Sequence, residues 1–276
     1  MAFPLKRHHG AEWRFELKYR ITPMQYRIVR SALLPYMESD MYTRNSGSGR
    51  YVVRSLYFDT SAYQAYHEKA AGNLSRTKLR IRSYGDTAAP GVPLRVELKT
   101  RWGSASAKHR CFVSASDCTH FLREWHWPGP TDPVLIEFER RLHLGAMRPK
   151  VLVQYEREGL QARARDDLRI TFDHDVRSVA ASSVFPEHPF FRDHHRHQVV
   201  MEVKCRPGQP AWLTALVKQY GLKSVANSKY TRAIEVARPD VIRPAWSYSD
   251  SAPVPRVRQA LDDHYSRRYG VPGVGR

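Results

Sequence analysis

The chain has 276 residues and carries 45 Lys and Arg against 27 Asp and Glu, which gives a formal net charge of +18. A hydrophobic fraction of 42% with 11% aromatic residues excludes a disordered chain, and no apolar stretch approaches the roughly 20 residues that a membrane-spanning helix needs. The three cysteines, Cys111, Cys118 and Cys205, are too few and too scattered for a disulfide framework or a zinc knuckle. No secretory signal is visible, so the sequence predicts a soluble, cytoplasmic protein whose partner is a polyanion.

The positive charge belongs to the body of the chain rather than to its ends. Residues 1–10 and 239–276 each carry a net charge of +2, which leaves +14 for residues 11–238. We therefore expect a short N-terminal arm (1–10), one folded domain (11–238) and a partly flexible C-terminal tail (239–276) that contains one helix near 257–269.

Eight segments have the composition of β-strands, and several of them alternate strictly between apolar and charged residues. In chain order they cover residues 12–20, 51–59, 76–84, 94–100, 108–113, 150–157, 168–173 and 198–205. Most follow one another in hairpin order, which predicts an antiparallel barrel or a curled sheet.

Helices are predicted between some of these strands, so the fold class is α+β. They cover residues 22–37, 63–69, 116–125, 132–142 and 210–220. Thr22, followed by Pro23 and Gln25, has the pattern of a capping box with proline at the first helical position. Asp132 precedes a proline in the same way, and Gly221 is placed to end the last of these helices.

One face of the predicted sheet is ionic rather than mixed polar. Alternation places Arg76, Lys78, Arg80 and Arg82 on the same side of a single strand. Four cations in a row repel one another unless a polyanion lies among them, and helices can cover the apolar residues on the other side. A barrel with an ionic lumen satisfies both requirements.

The triplet Glu-x-Lys occurs three times in predicted strands, and residues i and i+2 of a strand share a face. The three pairs are Glu16/Lys18, Glu97/Lys99 and Glu202/Lys204. Cationic side chains suit phosphate, and glutamates suit Mg²⁺ or Mn²⁺, which binds one or two carboxylates together with substrate phosphates. A single triplet is more typical of a solvated strand face, but three copies beside the arginine row favour a phosphoryl-transfer site. The chain has no P-loop and no kinase signature.

Eight short motifs occur in a fixed order over residues 12–236. They are RFELKY (14–19), SLYFDT (55–60), RTKLRIRSY (76–84), VELK (96–99), VQYER (153–157), LRITFD (168–173), EVK (202–204) and SKY (228–230). Taken together, they resemble the VTC (vacuolar transporter chaperone) domain family of polyphosphate polymerases. That family is part of the triphosphate tunnel metalloenzyme (CYTH-like) superfamily.

The resemblance implies an eight-stranded antiparallel β-barrel that forms a basic tunnel, with helices packed around the outside. It implies catalytic roles on the triphosphate or the growing chain for Lys18, Arg80, Arg82, Lys99, Arg157, Arg169 and Lys229. The expected substrate-binding residues are Arg14, Lys78, Tyr155 and Lys204. The expected ligands of Mn²⁺ or Mg²⁺ are Glu202, as the principal one, with Glu16 and Glu97 as further acidic members.

The implied reaction transfers the γ-phosphate of ATP to the end of an inorganic polyphosphate chain. The attacking phosphate oxygen is already ionised, so no protein general base is required. Two alternatives remain open: a tunnel triphosphatase that hydrolyses inorganic or nucleoside triphosphate, and a non-catalytic polyphosphate-binding module. We expect no nucleic-acid partner, because nucleic-acid binding predicts exposed aromatic residues interleaved with the cations.

The sequence contains no recognisable SPX regulatory domain, so we expect regulation to depend on other chains. A membrane-protein partner would be the route by which this protein reaches the inner face of a membrane.

Three smaller features carry weaker predictions. His188 and the cluster His194–His197 lie in a polar loop, where clustered histidines seldom bind a metal. Tyr51, Tyr57 and Tyr84 are candidates either for the lumen or for ordinary packing. Lys108 and Arg110 would either extend the cationic lining or face water.

Overall fold

The computed structural model of this protein describes residues 15–88, 91–102, 105–129, 132–165, 167–206 and 209–242. The expected N-terminal arm, Arg14 and the helix expected near 257–269 lie outside the described residues. The boundaries of the folded domain and tail therefore stay a prediction. None of the described helices is both long enough and apolar enough to cross a bilayer.

Strands and helices alternate in several places along the chain. The strands are β1 (Phe15–Ile21), β2 (Met37–Ser39), β3 (Tyr51–Asp59), β4 (Ser75–Ser83), β5 (Leu94–Trp102), β6 (Ala105–Val113), β7 (Arg148–Ala162), β8 (Arg169–Ala180), β9 (Arg192–Asp193) and β10 (Val199–Cys205). The helices are α1 (Pro23–Leu33), α2 (Met41–Asn45), α3 (Gln64–Ala70), α4 (Ala115–Glu124), α5 (Pro133–Leu144), α6 (Ala211–Gln219) and α7 (Lys229–Ala237), followed by a 3-10 helix (Pro239–Val241).

All ten strands belong to one sheet with antiparallel pairing throughout. Eight of them form the path β1-β10-β8-β7-β3-β4-β5-β6, while β2 pairs with β7 and β9 pairs with β8. The predicted α+β class and the eight main strands are thus confirmed.

The sheet is curled rather than closed by hydrogen bonds. The strand path ends at β1 and β6, and these two strands do not pair within the described residues. The edge of β1 is instead met by a loop, where the Val225 amide donates to the Lys18 carbonyl at 2.8 Å. Side chains of β1 and β5 also meet in the interior, where Lys99 Nζ of β5 lies 3.8 Å from Glu16 Oε2 of β1.

The apolar residues of the strands form two separate clusters beneath the helices. In the first, Ile170 and Met201 of the sheet pack with Leu33 of α1 and with residues of α6. In the second, Leu98 of β5 packs with Phe138 and other residues of α4 and α5. The helices therefore cover the apolar face of the sheet, and the face that carries the charged alternates is directed away from both clusters.

Local signals fix several helix ends as predicted. Thr22 and Gln25 form the reciprocal capping box at the start of α1, and Asp132 caps α5 by accepting the Val134 amide at 2.7 Å. The prediction that the first helix reaches residue 37 is wrong. It ends at Leu33, because Pro35 has no amide hydrogen with which to continue the helical hydrogen bonds.

Sequence patterns missed five short elements, namely β2, α2, β9, α7 and the 3-10 helix. The most important of these is α7, which begins at the N-cap Ser228, whose side chain accepts the Thr231 amide at 3.3 Å. Tyr230, Ala233 and Ile234 are its buried residues. That spacing is the signal that could have identified α7 from the sequence.

Candidate functional site

The register of the sheet places the predicted strand residues of the site on one face. Directly paired residues of antiparallel strands point their side chains to the same side. One row across the sheet joins Lys18, Glu202 and Thr171, and another joins Tyr57, Arg80 and Glu97. We call this polar side the inner face. Among the predicted site residues it carries Glu16, Lys18, Lys78, Arg80, Arg82, Glu97, Lys99, Tyr155, Arg157, Arg169, Glu202 and Lys204.

Glu97 is the centre of one group of ion pairs on the inner face. It is only 1% exposed, and its carboxylate contacts Arg80 through Oε2 and Lys108 through Oε1, the latter at 2.7 Å. Arg80 also donates to the Tyr57 hydroxyl at 3.1 Å. Burial would raise the pKa of Glu97, but Arg80, Arg82 and Lys108 outweigh it and hold that pKa well below its usual range. Both oxygens are therefore engaged by cations, and Glu97 fits the role of positioning Arg80 better than that of a metal ligand.

Arg82 and Lys78 lie on the same strand and have no carboxylate partner within the described residues. Arg82 is 7% exposed, and its Nε donates to the Ser55 hydroxyl at 3.0 Å. Lys78 donates to the Ser228 hydroxyl at 3.1 Å. Burial, together with neighbouring cations such as Arg76, lowers the pKa of Lys78 to about 7. A face that carries cations without ion-pair partners is suited to a ligand that supplies the negative charge.

A second group of ion pairs surrounds Asp173, which is fully buried. Arg157 donates to both of its carboxylate oxygens, at 2.6 and 2.9 Å, and Lys229 Nζ lies 2.5 Å from Oδ2. Burial would raise the pKa of Asp173, but the two cations outweigh it and lower the pKa to about 2. The ring of Tyr155 lies 5.1 Å from the Arg157 guanidinium carbon and 4.8 Å from Lys229 Nζ. Its buried hydroxyl has no hydrogen-bond partner within the described residues.

The start of α7 links strands that lie far apart in the sheet. Lys18 of β1 donates to the Asn227 carbonyl at 3.1 Å, next to the contact between Lys78 of β4 and Ser228. Tyr230 donates to the carboxylate of Asp59. This segment therefore brings cations of β1 and β4 together and adds Lys229 to the inner face.

Asp59 of the SLYFDT motif has a structural role. Its carboxylate is fully buried and accepts the amides of Ala65 and Tyr66 at 3.0 and 3.2 Å, at the start of α3. The motif thus anchors α3 and α7 to the end of β3, and its Tyr57 and Ser55 contact the arginines of the inner face.

Arg169 occupies a more open position on the inner face. Its guanidinium contacts the carboxylate of Asp40 at 2.6 Å and donates to the Tyr51 hydroxyl at 3.4 Å. The arginine side chain is 42% exposed, whereas Asp40 is buried. Asp40 is the N-cap of α2, a helix that the sequence did not predict, and it fixes the position of a predicted site residue.

The three predicted metal ligands lie on the inner face but do not gather into one cluster. No set of three ligand atoms within 4.8 Å of one another forms around them in the described residues. Glu16 contacts Lys18 at 2.7 Å and Lys99 at 3.8 Å. Glu202 is 6% exposed and contacts Lys204 at 2.8 Å through Oε1.

Glu202 is the glutamate that best fits a divalent cation. Burial would raise its pKa, but the surrounding cations, of which Lys204 has the largest effect, hold that pKa well below its usual range. The carboxylate is therefore ionised, and only one of its oxygens has an ion-pair partner in the described structure. A Mg²⁺ or Mn²⁺ ion at Glu202 would take its other ligands from phosphate oxygens and water.

Several residues of the inner face were missed or left undecided by sequence reasoning. Asp173 is the last residue of the LRITFD motif, but a lone aspartate in a strand does not indicate that its carboxylate pairs with Arg157 and Lys229. Lys108 faces the interior, where burial and Arg80 lower its pKa to about 8 although Glu97 opposes the shift.

The predicted histidine cluster does not form a metal site within the described residues. His194 is buried and its Nε2 lies 3.0 Å from the Ser178 hydroxyl, while His195 contacts Arg20.

The described residues form a curled antiparallel sheet that carries rows of cations and carboxylates on its inner face. A family model described as "VTC domain" matches residues 13–238. The chain therefore belongs to the VTC domain family, as the order of its motifs predicted.

Solved structures with a similar course of the chain are distant in sequence. Two are called "putative adenylate cyclase". The one from Bacillus halodurans has 13% identity, with 79% of this chain and 94% of that chain covered, at a TM-score of 0.48. The one from Vibrio parahaemolyticus has 12% identity, 80% and 97% coverage and a TM-score of 0.42. A protein from Pyrococcus horikoshii has 11% identity, 81% and 98% coverage and a TM-score of 0.43. No curated protein matches the chain.

Proposed function

We propose that this VTC-domain protein is a polyphosphate polymerase that transfers the γ-phosphate of ATP to the end of an inorganic polyphosphate chain. The observation that carries the proposal is the presence, on the inner face of a VTC-family sheet, of two cations that form no ion pair in the described residues, the buried Arg82 and the half-buried Lys78. A thin chain of phosphates supplies negative charge at each step along such a face, so it complements a row of cations on one strand.

In the proposed reaction, an oxygen of the terminal phosphate of the acceptor attacks the γ-phosphorus of ATP. The bond from that phosphorus to the β–γ bridging oxygen breaks, and ADP leaves with the bonding electrons. Because the attacking oxygen is already ionised, the protein contributes positioning and charge rather than a proton acceptor.

The arginines of β4 and the cations around Asp173 would have different roles in this reaction. Arg80, fixed by Glu97 and Tyr57, and Arg82, fixed by Ser55, would each present donors in one orientation to phosphate oxygens. Arg157 and Lys229 are oriented by Asp173 and would stabilise charge that develops during transfer. Glu202 would hold a divalent cation, which would neutralise phosphate charge when it is bound.

Product analysis tests the proposal. Purified protein is incubated with ATP and Mn²⁺, with and without a short polyphosphate primer. We expect chains that resist nuclease and are degraded by exopolyphosphatase. Orthophosphate as the sole phosphate product would contradict the polymerase and identify a triphosphatase instead. Binding of polyphosphate without any turnover would identify a binding module.

A pair of variants connects the activity to the inner face. We expect Arg82→Gln to lower kcat by about 10²–10³-fold, because a donor aimed at a transferring group contributes on that order. Arg123→Gln is the matched control, since Arg123 lies on α4 and its side chain is 72% exposed. Equal rates for the two variants would show that Arg82 has no part in the reaction.

A further inference from the structure

A group of possible metal ligands lies on the helical side of the domain, on elements other than the strands that carry the inner face. One ligand atom from each of His126, Glu139 and His143 lies within 4.8 Å of the other two. Glu139 and His143 are four residues apart on α5 and therefore project from the same side of that helix. His126 comes from the segment between α4 and α5, and its side chain is 68% exposed.

Two hydrogen bonds orient this group in the way that metal sites require. The Trp127 amide donates to Glu139 Oε2 at 3.0 Å, which leaves Oε1 directed at His126 Nδ1, 2.8 Å away. His143 Nε2 lies 3.0 Å from the Trp125 carbonyl oxygen. A carbonyl can only accept, so Nε2 carries the proton and the lone pair of His143 is on Nδ1. Histidines that bind metals commonly donate their other ring N–H to a backbone carbonyl in this way.

From this geometry we propose that His126, Glu139 and His143 form a binding site for a divalent transition metal, with Zn²⁺ as the best match. Two imidazoles and one carboxylate are a ligand set that Zn²⁺ takes readily, whereas Mg²⁺ prefers oxygen ligands alone. Binding replaces the direct contact between His126 Nδ1 and Glu139 Oε1 with contacts of both atoms to the metal.

The site would act as a structural clamp. It joins α5 to the segment that contains Trp127, whose ring stacks on Phe121 with centroids 3.9 Å apart in the cluster behind β5. A metal that binds the folded chain and not the unfolded chain raises the midpoint of thermal unfolding. The clamp lies outside the inner face, so it stabilises the fold without taking part in phosphate binding.

Titration of the full chain with Co²⁺, a spectroscopic probe for Zn²⁺ sites, tests the proposal. We expect visible d–d absorption that saturates at one equivalent and is displaced by Zn²⁺. We expect His143→Ala and Glu139→Gln to weaken binding by at least about tenfold, and Zn²⁺ to raise the thermal midpoint of the natural chain but not of His143→Ala. His67→Ala is the matched control, because His67 is an exposed histidine in the last turn of α3.

A variant of the inner face distinguishes metal binding at this site from metal binding at the inner face. Glu202→Gln should leave the Co²⁺ spectrum unchanged. If Glu202→Gln abolished the spectrum while His143→Ala retained it, the metal would belong to the inner face and the proposal would be wrong. Equal losses in His67→Ala and His143→Ala would also overturn it, because they would indicate unspecific binding to surface histidines.

Discussion

At the scale of single residues, the inner face contains two kinds of buried cation. Arg157 and Lys229 share the carboxylate of Asp173, so their charges are compensated in the folded protein. Arg82 and Lys78 donate to hydroxyl groups and form no ion pair in the described residues. A desolvated charge that has no ion-pair partner lowers the free energy of unfolding. The proposed polyanion site would explain why such residues occur at these two positions.

Lys78 should couple phosphate binding to proton uptake. Its pKa of about 7 leaves the amine largely neutral at pH 8.5 in the ligand-free protein. A bound anion raises that pKa, so tripolyphosphate binding at pH 8.5 should take up protons and should weaken as the pH rises from 7 to 9. Calorimetry in two buffers of different ionisation enthalpy measures the uptake. Lys78→Arg, which stays charged, should reduce it to the part that comes from Lys108, and the same uptake in both proteins would refute the assignment.

At the scale of elements, the short helix α2 supports the site from outside the main sheet path. Asp40 caps α2 by accepting the Thr43 amide at 2.8 Å, and its other carboxylate oxygen contacts Arg169. Thr43 in turn accepts the Gly159 amide of β7 at 2.8 Å. The Asp40 amide donates to the Gly159 carbonyl at the same distance. The orientation of Arg169 thus depends on the close approach of α2 to a glycine.

Gly159→Ala should disturb this contact. A Cβ at Gly159 would clash with the Asp40 carboxylate, so Asp40 must move away from Arg169. Overpacking of this kind lowers the free energy of unfolding by about 1–3 kcal/mol, and we expect weaker tripolyphosphate binding as well. Thermal unfolding and calorimetry measure the two effects.

Gly145→Ala is the control for that variant. Its Cβ would meet the flexible Met147 side chain at 3.1 Å, on the side of the molecule that carries α5. It should lower the thermal midpoint less and leave tripolyphosphate affinity unchanged. Unaltered affinity in Gly159→Ala would show that α2 does not support the site.

At the scale of the whole molecule, the described part of the chain separates its apolar and charged surfaces onto opposite sides of one sheet. Two apolar clusters lie under the helices, and cations that outnumber carboxylates face inward. The hydrophobic cores stabilise the fold, and repulsion across the inner face opposes them. A polyanion should therefore be a strong stabilising ligand for this fold.

Tripolyphosphate without added metal should raise the thermal midpoint of the protein. At a concentration of one hundred times Kd, a ligand specific for the folded state adds about 2.7 kcal/mol. For a domain of this size that corresponds to roughly 5–10 °C. Sodium chloride at equal ionic strength is the control and should give a much smaller shift. An identical shift in Arg82→Gln would contradict an inner-face site and indicate binding to the exposed basic surface.

Much of the fold could be predicted because its signals are local. Strict alternation in 76–84 identified β4 and the face of its four cations, and the capping box at Thr22 identified the start of α1. The five-residue helix α2 was missed, because so few helical residues give too little periodicity to stand out. The longer α7 was missed although its buried residues have helical spacing. The predicted helix extends past the observed end of α1, although Pro35 is a local signal that a helix ends.

The sequence by itself determined the family, the antiparallel α+β class and the side of each strand on which the cations lie. These follow from residue order and from the two-residue period of a strand, which needs no knowledge of the partner strands. The tertiary structure alone decided which of the described cations form ion pairs and which do not. It also brought together Asp173 with Lys229, Asp40 with Arg169, and His126 with Glu139 and His143. The physical reason is that each of these groups joins residues from different elements or loops, so it depends on register and helix packing rather than on local pattern.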